Sequence, residues 1–209
     1  VHRQGSLNLA GHGVRFTTHH VEGDNTGTLI VRHNQETDFS PTHRDAVDQE
    51  GLQSKYFPFS TVVRDGGRFT APEHMACRSA DIVIEGELTP LRYLTVENDC
   101  SVHLLRDQGD EDFEIDNIHV KYGGHMHMES HHGHVATLRG RDLLLNAGAR
   151  FDANDAHMIF QSVEVEPAAV VSLDATSYLS PTGAGHGIHG GEVVGSTQQD
   201  GCTHGQSCG

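Results

Sequence analysis

The sequence has no tryptophan, few other aromatics and little positive charge, and each shortage narrows what the protein can be. With no Trp and only 6% aromatic residues, a thick core built on large rings is not expected. A thin core of Val, Ile, Leu and Phe repeated along an axis fits better. Hydrophobic residues make up 35% of the chain, below the level of a compact globular domain. Lys and Arg number 14 against 29 Asp and Glu, a formal net charge of −15. Phosphate backbones are bound by clustered Lys and Arg, so nucleic acid is not an expected partner, and anionic membrane surfaces are disfavoured for the same reason. Cations, basic partners and neutral glycans remain. There is no run of about 18 apolar residues that could span a bilayer. The chain begins at Val1 without Met or an apolar leader, which reads as a processed, secreted chain, the alternative being an excerpt of something longer. No standard N-x-S/T sequon occurs. Asn98-Asp99-Cys100 is the rare variant form, and exposed Ser and Thr remain open to O-glycans, which the sequence does not decide.

Signatures of common chemistry are missing too. There is no Ser-His-Asp order, G-x-S-x-G, P-loop or H-E-x-x-H. A non-catalytic protein is expected. The enzymatic alternative is a polysaccharide-cleaving β-helix with paired carboxylates, weakened by the scarcity of rings on which sugars could stack.

What the sequence does contain is a repeat. A short alternating strand, a Gly- or Ala-rich corner and a second short strand recur at Leu7–Phe16, Thr61–Phe69, Ile118–Met128, Leu143–Phe151 and Val163–Leu173, with weaker copies at Thr28–Phe39 and Leu94–Leu105. Corners fall near residues 13, 34, 67, 100, 124, 148 and 168. Most steps are roughly 20–24 residues, the length of one β-helix rung. Two longer steps predict loop insertions near 42–58 and 72–92. Each strand alternates in and out with period two. One rung cannot bury its apolar row alone, but stacked rungs form continuous ladders. The fold expected is all-β: a right-handed parallel β-helix (solenoid) of about seven rungs over 1–177, followed by a Gly/His-rich segment over 178–209. The alternative is an antiparallel sandwich. Only Arg44–Gln53 reads as a short helix.

Four cysteines permit two disulfides. Cys77 and Cys100 lie about one rung apart, which makes them candidate vertical neighbours, and Cys202 and Cys208 would close a short loop. The alternatives are free thiols, or a zinc group of Cys202, His204 and Cys208. Eighteen histidines are present, densest at His125-Met-His-Met-Glu-Ser-His-His-Gly-His134. On a strand, His125, His127 and Glu129 share one face. His131, His132 and His134 follow at the bend, and His157 is a candidate from the next rung. Imidazoles ligate Zn²⁺, Cu²⁺ and Ni²⁺; the competing reading is a solvated His-rich face. His186, His189 and His204 lie in the glycine tract, while His12, His19, His20, His33 and His119 are scattered and expected to be exposed. Asp107, Asp110 and Asp112 form an acidic loop able to hold Ca²⁺, or one that is merely charged. No cofactor is required by these patterns; Zn, Cu or Ca are the candidates.

The runs Ile118–Met128, Val135–Asp152 and Val163–Ala175 lead into Ser180-Pro-Thr-Gly-Ala-Gly-His-Gly-Ile-His-Gly-Gly191. This succession resembles very large secreted parallel β-helix repeat proteins of the pectin-lyase-like kind, whose strand–GG–strand rungs precede a GHGG-type tract. The resemblance implies a parallel β-helix with an extracellular surface or matrix role and no established catalytic site. The function expected is a structural module that self-associates end to end into a filament or sheath. The alternatives are a polysaccharide-binding or polysaccharide-cleaving β-helix and a His-rich metal-binding adhesive protein.

Overall fold

The structure, a computed structural model, describes residues 6–8, 15–17, 27–32, 35–38, 59–106, 112–130, 135–181 and 188–194. Every regular element among them is a strand. The chain winds through β1 (Ser6–Asn8) and β2 (Arg15–Thr17), then β3 (Gly27–Val31) and β4 (Glu36–Asp38). Two three-strand coils follow: β5 (Phe59–Val63), β6 (Arg68–Thr70) and β7 (His74–Arg78), then β8 (Asp81–Ile84), β9 (Glu87–Leu88) and β10 (Leu91–Glu97). Next come β11 (Ser101–Arg106) and β12 (Phe113–Val120), β13 (His125–Ser130) and β14 (Ala136–Leu145), and β15 (Arg150–Asn154) and β16 (Ala156–Val165). The described chain ends with β17 (Val170–Pro181) and β18 (Ile188–Val194).

The strands stack into three ladders. The first runs β1-β3-β5-β8-β11-β13-β15-β17, the second β7-β10-β12-β14-β16-β17, and the third, confined to the N-terminal half, β2-β4-β6-β9. Pairing is parallel throughout except between β17 and β18. The protein is therefore a parallel β-solenoid and not an antiparallel sandwich.

Alternation explains the core. In the first ladder Leu29, Thr61, Ile82, Val102, Met126, Phe151 and Val171 form one inward column, each no more than 2% exposed. The longer strands of the second ladder carry a phase break. In β14, Ala136 and Leu138 point inward, then Leu143 and Leu145, with the alternation skipping at Gly140–Asp142. The strand bends there. A Cβ on Gly140 would sit 2.2 Å from the Ile115 carbonyl oxygen and 2.6 Å from the Phe160 ring, so only glycine fits this bend.

The corners before β13, β15 and β17 are tight turns closed by Gly124 N–H to Lys121 O, Ala149 N–H to Asn146 O and Ala169 N–H to Glu166 O, at 2.8, 2.9 and 3.1 Å. Their third residues, Gly123, Gly148 and Ala168, have φ of 70°, 76° and 63°, the left-handed region in which a side chain is strained. The chain tolerates Ala168 there, which bounds the cost. Gly148→Ala should destabilise the protein by about 1–2 kcal/mol, since its Cβ also meets the Tyr122 ring at 2.6 Å but that ring is 74% exposed and can move aside. Urea unfolding measures this.

Several expectations need correction. The segment 72–92 is not an inserted loop. It holds β7, β8 and β9, each paired within the ladders. The corner between β7 and β8 is made by Ser79, at φ 48°, so no Gly-Gly marks it. The repeat also mixes two kinds of corner: the turns at Arg32–Gln35 and Arg64–Gly67 join the first ladder to the third, whereas those at Lys121–Gly124, Asn146–Ala149 and Glu166–Ala169 join the second to the first. The boundary expected at 177/178 falls inside β17, and Ile188–Val194 of the Gly/His-rich segment is a strand hydrogen-bonded antiparallel to β17. The expected insertion 42–58, the helix 44–53, and Cys202 and Cys208 lie outside the described residues.

Cys77 and Cys100 are disulfide-bonded across neighbouring coils, with Cα atoms 5.8 Å apart and both side chains in the core. Beside them Glu97, 6% exposed, accepts from Arg78 at 2.6 Å and lies 3.5 Å from Lys121 Nζ. No helix among the described residues is long and apolar enough to cross a membrane.

Candidate metal centre

The corner Lys121–Gly124 sets the phase of β13. Met126 and Met128 enter the core fully buried, which turns His125, His127 and Glu129 outward onto the face of the first ladder. Parallel pairing then supplies the neighbours. On one side β11 places Ser101 opposite His125 and His103 opposite His127. On the other, β15 places Arg150 opposite His125 and Asp152 opposite His127. His103, His127 and Asp152 thus form one outward column, flanked by His125.

The donor atoms of His125, His127 and Asp152 all lie within 4.8 Å of one another. Ligands sharing one tetrahedral zinc sit about 3.4 Å apart, so small side-chain rotations bring these three onto one ion. His125 Nε2 is 2.7 Å from Asp152 Oδ2, and Arg150 Nε donates to the same oxygen at 2.6 Å. Asp152 Oδ1 is buried and has no hydrogen-bond partner; a buried carboxylate oxygen in that state has an unmet demand for a cation or donor. His127 Nε2 is 3.2 Å from Glu129 Oε2. The side chains of His127 and Asp152 are 18% and 17% exposed, that of His125 34%. The pocket is half-buried and still open to an incoming ion.

Electrostatics favour the ionised, ligating form of Asp152. Burial opposes ionisation of Asp152, but hydrogen bonds from Arg150 and His125 outweigh it and hold the carboxyl below its ordinary value. The His103 imidazole is pushed below its ordinary value, first by burial and then by His127 and His125, with Asp81 and Glu129 acting weakly the other way. The unfolded chain therefore binds more protons at this position than the folded one as pH falls below about 6.5. The metal-free protein should lose stability as pH drops from about 6.5 through the lowered His103 value, and His103→Gln should flatten that slope, checked by unfolding midpoints at successive pH values.

The other sequence candidates fall elsewhere. His157 is exposed in β16, opposite Thr137 on the second ladder. It is not on the rung above β13, because the chain reaches that position at Arg150–Asn154 and has turned the corner by residue 157. His131, His132, His134, Asp107 and Asp110 lie outside the described residues. Asp112 is paired with Arg139, and its two partners in the acidic loop are among those residues. His119 is half-buried, its ring against Asn146, rather than simply exposed. Asp152 and His103 were missed. Both sit three residues beyond a corner, after Ala149 and Cys100, as His127 does after Gly124. Aligning the repeats on their corners would have found the column.

No protein-family model matches the chain, and neither the curated proteins nor the solved structures contain a match to it.

Proposed function

We propose that the protein is a secreted, non-catalytic structural solenoid that holds one divalent transition-metal ion, zinc or copper, on the outer face of its first ladder. The convergence of His125, His127 and Asp152 from two adjacent coils carries this reading. Two imidazoles with one carboxylate suit zinc and copper, whereas calcium takes oxygen donors alone. The net charge of −15 draws cations toward the surface. The buried Cys77–Cys100 disulfide fits an oxidising compartment, and hence secretion. The metal is a structural ligand here, linking coils as the disulfide does.

Calorimetric titration and thermal unfolding of the metal-free protein test the proposal. Zinc or copper should bind at one site and raise the unfolding midpoint, by the equivalent of about 2.7 kcal/mol at a free concentration one hundred times the dissociation constant. Calcium should do neither. Absence of both heat and shift with zinc and copper would end this reading.

A further inference from the structure

We infer that His103 is a fourth protein ligand, so that the ion is enclosed by three imidazoles and one carboxylate drawn from three successive coils. The inference rests on the metal-binding reading above and goes beyond its three converging donors. Three imidazoles on one tetrahedral ion, each bound at the usual zinc–nitrogen length, place their ring centroids about 5.2 Å apart. The centroids of His103 and His127 are 5.5 Å apart, those of His103 and His125 6.1 Å, and those of His125 and His127 6.4 Å. The three rings form a triangle about 0.3–1.2 Å wider on each side than a shared ion needs, and the His103 donor atoms lie outside the group that His125, His127 and Asp152 form, so the His103 ring must turn inward to join it. Asp152 lies in the same column on the far side of His127 from His103, so the carboxylate and the third imidazole approach from opposite sides.

Four protein donors make a closed site, the arrangement of structural rather than catalytic zinc. A closed site has no position for an exogenous ligand. It also spans β11, β13 and β15, so the ion ties residue 103 to residue 152 and coils on both sides of β13 must separate before it is released. Metal occupancy and cohesion of this stretch of the solenoid are then one equilibrium.

Cobalt(II) in place of zinc tests the inference by visible absorption. Wild-type protein should give the intense bands of four-coordinate cobalt, displaced by zinc and unchanged by azide. His103→Ala should bind cobalt at least about 10-fold more weakly, and its spectrum should respond to azide, because solvent enters the vacated position. His103→Gln should behave alike, while circular dichroism shows both variants folded. Wild-type affinity and an azide-insensitive spectrum in both variants would overturn the role of His103 while leaving the three-donor site standing. Failure of the wild-type protein to take up cobalt would remove the metal reading itself, and this inference with it.

Discussion

Replacing both Cys77 and Cys100 by alanine is expected to lower the unfolding free energy by about 3.5 kcal/mol, the loop-closure value for a cross-link of this span, with a separation of 23 residues in sequence. For a chain of this size that corresponds to a fall of about 10 °C in midpoint. The cost is concentrated because of where the bridge lies. Cys77 is on β7, the first strand of the second ladder, and Cys100 closes the corner leading into β11. In a solenoid each coil touches only its neighbours, so nothing distant compensates for the lost link. A loss below about 1 kcal/mol in urea unfolding would show that the bridge adds no net constraint to the unfolded chain.

His127→Ala should weaken zinc binding by about 100-fold or more, the larger end of what disturbing a metal site costs. The residue is the hub of the site. Its column neighbours are His103 and Asp152, and His125 stands two residues away on the same strand. Without zinc the same substitution should change stability by less than about 1 kcal/mol, because what it then removes is a partly exposed pairing with Glu129. Affinity and metal-free stability therefore separate in this variant, which a general folding defect would not produce. His157→Ala, on the other ladder, should leave zinc affinity at the wild-type value in the same calorimetric titration.

The fold was legible because a solenoid writes itself locally. Ile118–Val120 and Met126–Met128 alternate correctly whether or not their vertical partners are known, and the corners at Gly123 and Gly148 announce their left-handed backbone through glycine. Where another residue takes that conformation the signal fades. Ser79, at φ 48°, turns the chain without a Gly-Gly, so the coil that follows it read as an insertion. The site was half legible. His125 and His127 stand out as a local cluster, and the alternation gives their direction. Asp152 and His103 come from other coils, where each is one polar residue on an ordinary strand. Only the register of the parallel ladder brings them to His127, and register depends on which corner type each repeat uses.

The claim that neighbouring coils pool their donors around one ion is tested most directly by imidazole nitrogen resonances recorded as zinc is added to the metal-free protein. The ring signals of His103, His125 and His127 should move together and finish at a single equivalent, while those of His74, His119 and His157 stay in place. A gradual drift of all the histidines with no end point, or movement of His125 and His127 at different zinc levels, would contradict it.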